Sequence, residues 1–90
     1  MTEAELLQKV KSGLGITGDY QDDTLQVYID EVKAFMIAAG VRETIVDSSV
    51  AVGCIMKGVN DLMNLSPSDS RFSDYFMMRL VQLATTPGDD

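Results

Sequence analysis

Few side chains in this sequence could take part in covalent chemistry. The chain has one cysteine, Cys54, and no histidine, so it lacks the commonest general base and the usual activator of a nucleophile. Cys54 lies in an apolar stretch with no adjacent base to lower its thiol pKa, which predicts a buried, unreactive side chain. A lone cysteine forms no intramolecular disulfide, and this fits a reducing compartment. We therefore expect no catalytic residue and no cofactor.

A glycine-rich stretch, Gly13–Gly18, matches the letters of the dinucleotide-binding pattern G-x-G-x-x-G. That pattern works only when a strand precedes it and a helix opens at its third glycine. Here a helical pattern precedes the glycines, and nothing else in the chain indicates a parallel sheet. The stretch is therefore interpreted as the end of a helix followed by a tight turn.

Four acids near this turn raise the question of a calcium site. They are Asp19, Asp22, Asp23 and Asp30. A calcium-binding helix–loop–helix starting at Asp19 would need Asp or Asn at its third position and Gly at its sixth. The chain offers Gln21 and Thr24 there. Acids at the start of a helix, where the helix dipole favours negative charge, explain the pattern better, and no metal site is predicted.

Ser48 is the one residue whose sequence context suggests a covalent modification. The stretch 47–50, Asp-Ser-Ser-Val, resembles the Asp-Ser-Leu attachment site of acyl carrier proteins, whose serine holds phosphopantetheine. In that family the following helix is strongly acidic, whereas residues 51–57 read Ala-Val-Gly-Cys-Ile-Met-Lys. We therefore favour helix capping by Asp47 or Ser48 and keep a carrier protein as an alternative function.

The composition of the chain indicates which classes of partner it can bind. The chain has 90 residues, 46% of them hydrophobic, and a net charge of −7. The seven bases are scattered, which argues against binding to nucleic acid or to an anionic membrane. The N-terminus is acidic, so no signal peptide is expected, and no apolar run could span a bilayer. The apolar content exceeds what so small a core needs, which indicates packing against other protein subunits.

Hydrophobic spacing predicts an all-α fold: one small four-helix domain over residues 1–90, with a polar loop between the third and fourth helices. The predicted helices cover about 3–12, 22–39, 49–64 and 74–84. Thr2 and Glu5 form a capping box, and Ser73 caps the last helix. Residues 1–2 and 85–90 are expected to fray.

The third predicted helix contains two glycines, Gly53 and Gly58, each of which costs about 1 kcal/mol relative to alanine. Close approach of another backbone, within the monomer or across an interface, would compensate for this. Met77 and Met78 cannot both face inward on one helix, so one is expected at an interface. The candidate subunit interface comprises Met36, Met77, Met78, Gly53 and Gly58.

A longer pattern of residues resembles a known family, from about Glu5 to Ala84. In its first half it consists of Val10-Lys11, Leu14-Gly15-Ile16, Gly18-Asp19, Asp22-Asp23, Leu25, Ile29 and Lys33. In its second half it consists of Phe72-Ser73, Arg79-Leu80 and Gln82-Leu83. This order resembles the small head–tail connector, or adaptor, proteins of tailed bacteriophages and prophages.

The resemblance implies a non-enzymatic subunit of a ring of about a dozen copies. Such a ring closes through heterologous contacts, in which two different surfaces of neighbouring subunits meet. The ring would dock below the portal protein, extend the DNA channel and bind the next head-completion or tail protein. The chain would then reside in the virion neck after assembly in the host cytoplasm. DNA would pass without specific binding, and we expect lumen-facing acids among Asp19, Asp22, Asp23 and Asp30. Besides the carrier protein, a small helical regulatory module remains an alternative.

Overall fold

The computed structural model describes residues 1–64 and 72–86, and all their regular structure is helical. The elements in chain order are α1 (Glu3–Leu14), α2 (Asp22–Ala38), α3 (Glu43–Val46), a 3₁₀ turn (Ser49–Ala51), α4 (Val52–Met63) and α5 (Asp74–Ala84). The predicted all-α class is confirmed. The polar loop predicted after α4 lies largely outside the described residues, as do positions 87–90 of the predicted frayed tail.

Local capping sets the ends of α1. The Thr2 hydroxyl accepts a hydrogen bond from the Glu5 amide at 3.1 Å, and the Glu5 carboxylate accepts one from the Thr2 amide at 3.2 Å. The bond from the Thr2 amide, with a further contribution from the Thr2 side chain, lowers the pKa of Glu5. At the other end Gly15 has a φ of +71°, and its amide bonds to carbonyls of the last turn. The predicted capping box and glycine stop are confirmed.

Helix α4 lies at the centre and packs against α1, α2 and α5. Its buried side includes Cys54, Ile55 and Val59. The core around it is closed by inward-facing residues of the other helices, namely Leu6, Val10, Leu25, Ile29, Val32, Met36, Phe76, Leu80 and Leu83. Burying side chains of this size contributes about 1.5–3 kcal/mol each. The buried side of α4 therefore stabilises the fold of the single subunit.

The short helix α3 is absent from the predicted set. Gly40, with a φ of +103°, follows the end of α2. The chain then turns so that Val41, Ile45 and Val46 enter the core. The predicted side-chain cap at Asp47 or Ser48 is wrong, because neither residue makes a capping bond to the following turn. Instead the Ser48 hydroxyl donates to the Ile45 carbonyl at 2.7 Å.

Helix α5 is joined to α4 by a polar clamp. Ser73 caps α5 by accepting a hydrogen bond from the Phe76 amide at 3.2 Å, as predicted. The Ser73 amide and hydroxyl both donate to one oxygen of Asp61, at 3.0 and 2.8 Å. Lys57 approaches the other oxygen of Asp61 at 3.4 Å. Hydrogen bonds to a charged acceptor contribute about 1.5–3 kcal/mol each, so this clamp orients α5.

An aromatic cluster completes the attachment of α5. The rings of Phe72 and Phe76 stack with centroids 4.3 Å apart, and Phe35 on α2 lies 4.9 Å from Phe72. Such pairs contribute about 0.5–1.5 kcal/mol beyond the area they bury. The aromatic cluster and the Asp61 clamp therefore attach one side of α5 to α2 and α4. The side of α5 that faces away from these helices is exposed.

Candidate interaction surfaces

The glycine turn after α1 is organised by a buried lysine. Lys11 is 7% exposed. Its ammonium donates to the Gly18 carbonyl and lies 2.7 Å from a carboxylate oxygen of Asp22. Gly15 and Gly18 both have positive φ angles, as in a helix end and a tight turn. The one lysine at this turn is thus occupied by protein groups, which supports a turn rather than a phosphate-binding loop.

The four candidate acids do not form one surface. Asp22 is paired with Lys11 and turned toward α1, so its charge is neutralised within the subunit. Asp19, Asp23 and Asp30 are exposed. Asp23 and Asp30 are seven residues apart, about two turns, and therefore lie on the same side of α2. Within residues 1–64 and 72–86, no group of three His, Cys, Asp or Glu side chains is arranged to hold a metal ion.

Two of the five candidate interface residues lie inside the subunit. Met36 is 0% exposed and packs in the core. A Cβ added at Gly58 would lie 2.6 Å from the Phe76 ring and 2.9 Å from Val32. The close approach expected at Gly58 therefore occurs within the monomer. The expectation that Met36 and Gly58 contact another subunit is wrong, because neither reaches the surface.

Gly53 lies in a different environment. It is exposed, and a Cβ added there would meet nothing within 4 Å. It opens onto a hollow of about 470 Å³ between α1, α4 and the start of α5. We name this hollow the Gly53 groove; its lining residues are Gly13, Leu14, Gly53, Met56, Lys57, Asn60 and Tyr75. The groove contains no acid, although the chain is strongly acidic overall.

The outer side of α5 is apolar. Phe76, Leu80 and Leu83 face the core. Met78 and Val81, 56% and 58% exposed, face away from it, and Met77 is partly exposed at the edge. Both predicted methionines are therefore accessible on the surface, and their contact with another subunit stays a prediction.

The outer side of α2 is a surface that sequence reasoning did not single out. Val27 is 65% exposed, and Ala34 and Ala38 are exposed on the same side of the helix. We name these three residues the α2 seam; Asp30 and Glu31 flank it, one on each side. The signal was present in the sequence, because Val27 falls outside the buried stripe of α2.

Neither candidate nucleophile is presented for chemistry. Cys54 is completely buried, and this burial raises the pKa of its thiol to about 11. A thiol with so high a pKa is unreactive near neutral pH. Ser48 is only partly exposed, and its hydroxyl is bonded to the Ile45 carbonyl. A carrier serine must be free to accept a long prosthetic group, so this environment does not favour the carrier alternative.

The helices are also short relative to a bilayer. Among the helices of the described residues, none has both the length and the apolar character needed to cross a membrane.

Comparison with known proteins identifies a family. A family model described as "Phage gp6-like head-tail connector protein" matches residues 4–66. That range contains α1 to α4, the Gly53 groove except for Tyr75, and the α2 seam, whereas α5 follows it. No curated protein and no solved structure matches the chain significantly.

Proposed function

Because the chain belongs to the phage gp6-like head-tail connector family, we propose that it is a structural subunit that assembles into a ring at the portal. The ring extends the DNA channel and offers a docking surface to the next head-completion or tail protein. This places the protein in the virion neck, after assembly in the host cytoplasm. The family match over residues 4–66 is the observation that carries the proposal.

Two surface features of the subunit support ring assembly. The Gly53 groove and the outer side of α5 expose apolar residues that a monomer gains nothing by exposing. The α2 seam exposes further apolar area elsewhere on the subunit. A closed ring of identical subunits needs two different complementary surfaces on each copy, and the chain has more than one candidate.

The charge of the subunit supports free passage of DNA. A net charge of −7 on each copy gives the ring an acidic character and no means of holding phosphate backbones by charge. Asp19 and Asp23 lie at the turn and at the start of α2 with their side chains in solvent. We assign these two acids to the lumen and leave out Asp22, whose charge Lys11 neutralises, and Asp30, which lies further along α2 beside the seam.

Native mass spectrometry of the purified chain, alone and mixed with the portal protein encoded in the same genome, tests the proposal. We expect a discrete oligomer with one stoichiometry, either in both samples or only with the portal acting as a template. A chain that stays monomeric and does not bind the portal would overturn the connector function. The same spectra reveal any phosphopantetheine adduct after treatment with a phosphopantetheinyl transferase, and an adduct at Ser48 would support the carrier alternative instead.

A further inference from the structure

We propose that the Gly53 groove is the receptor for the α2 seam of a second copy of this chain, and that this contact joins neighbouring subunits. The inference rests on the proposed function, and it deepens it by naming both sides of the contact. It commits to a helix of a second copy as the occupant, rather than to the portal or a tail protein.

The shape of the groove is the first argument. Gly53 lies in a helix interior, where glycine costs about 1 kcal/mol, and its described surroundings within the subunit leave the space open. The fold of the monomer therefore gives no reason for a glycine there. An approaching helix gives one, because a side chain on Gly53 would stand in the groove floor. The seam suits this close approach, since two of its three residues are alanines.

Charge is the second argument. The groove has no acid among its lining residues, and the ammonium of Lys57, which lies in it 35% exposed, is 3.4 Å from Asp61. The rest of α5 carries one acid, Asp74, at its start and one base, Arg79, further along. The seam has the opposite character, because Asp30 and Glu31 flank it. Bringing two acidic surfaces together is unfavourable, so in this −7 chain an acid-free groove is a suitable partner for the acid-flanked seam.

The positions of the two surfaces form the third argument. Gly58 faces Val32 on the inner side of α2, and Gly53 is five residues away on α4, about 140° around the helix. The groove therefore faces away from α2, whereas the seam lies on the outer side of α2. A contact between opposite sides of identical subunits repeats from copy to copy, and it closes into a ring when the rotation allows.

Disulfide pairing between two variants that each carry one added cysteine tests the contact. Ala34→Cys places a thiol in the seam and Asn60→Cys places one in the groove, while the native Cys54 is buried and stays protected. After mixing and mild oxidation at high concentration, we expect roughly a tenfold excess of the mixed dimer over either homodimer. Ala4→Cys, an exposed position on α1, replaces Ala34→Cys in the control and should pair at random.

The results separate the possible contacts. Mixed dimers at the frequency of random pairing would overturn the proposal. Homodimers in excess would also overturn it, because they indicate a two-fold contact. An excess of homodimers with Met78→Cys would identify the outer side of α5 as that contact.

A steric variant tests the same contact by assembly. Gly53→Leu projects into open space in the monomer, so we expect it to fold with an unchanged or higher Tm and to weaken self-association by about tenfold or more. Ala4→Leu, an equal enlargement of an exposed helical residue, should assemble like the wild type. Assembly of Gly53→Leu at wild-type strength would contradict the proposal. If the wild type forms rings while both tests fail, the contact is wrong and the connector function stands.

Discussion

Gly53 and Gly58 lie five residues apart on one helix and meet opposite surroundings. A Cβ at Gly58 would collide with Phe76 and Val32, whereas a Cβ at Gly53 would meet nothing within 4 Å. The fold of the subunit explains Gly58, because only glycine lets α2 and α5 approach α4 so closely. The described monomer does not explain Gly53, whereas the contact that we propose with another copy would. Helix α4 thus has one side that packs within the fold and one side that, in our proposal, contacts a second copy.

The largest expected effect on stability comes from truncating Phe76, whose ring packs against Gly58. Phe76 is completely buried and stacks on Phe72. Phe76→Ala should lower the free energy of unfolding by about 3–5 kcal/mol, measured by urea denaturation. The neighbouring exposed Tyr75 is the matched control, and Tyr75→Ala should change it by about 0.5 kcal/mol or less. Equal effects of the two variants would contradict a core on this side of α4.

The buried thiol next to Gly53 should give a pH-dependent effect. The pKa of Cys54 rises from 9.0 to about 11 on burial, so folding favours the protonated thiol. This contribution is fully present below pH 9 and is lost as the pH rises toward 11, by about 2–3 kcal/mol. Cys54→Ala lacks it and serves as the reference. Urea denaturation from pH 7 to 11 should show the wild type losing more stability than Cys54→Ala, and parallel losses would argue against a buried thiol.

Gly58→Ala should have an intermediate effect. The added methyl group overlaps Phe76 and Val32, and overpacking of this kind costs about 1–3 kcal/mol. The higher helix propensity of alanine offsets up to about 1 kcal/mol of this. We expect a lower Tm by calorimetry. An unchanged or higher Tm would show that the packing around Gly58 can adjust, and the contrast with Gly53 would weaken.

Gly53→Ala should have the smallest effect, and of opposite sign. Alanine gains about 0.5–1 kcal/mol over glycine in a helix interior, and the open groove leaves room for its methyl group. The same calorimetry should therefore show a higher Tm for the variant. A lower Tm would mean that Gly53 is already in contact within the monomer.

Much of the fold is predictable from local signals. The ends of α1 follow from a capping box and a glycine, and α5 begins and ends where Ser73 and the hydrophobic spacing predict. Helix α3 is not predicted from hydrophobic spacing, because its four residues are too few to show a helical period. The bond from Ser73 to Asp61 joins residues 12 apart, and nothing in local spacing predicts such a pair.

The candidate surfaces were less predictable, because the sequence does not show which way each side chain faces once the helices pack. Met36 belongs to the buried stripe of α2, and its spacing alone indicates a core position. The two glycines of α4 look equivalent in the sequence, because the direction of each depends on where α2 and α5 pack. The pairing of Asp22 with Lys11 likewise needs the turn between α1 and α2 to be in place. Residue type indicates a possible surface, but packing decides which residues reach it.

Electron microscopy of the chain mixed with its portal protein tests the connector role most directly. We predict top views with a closed, rotationally symmetric ring coaxial with the portal, in which helices of neighbouring copies meet at the groove and the seam. Portal particles without added ring density, together with a chain that stays monomeric, would contradict the account.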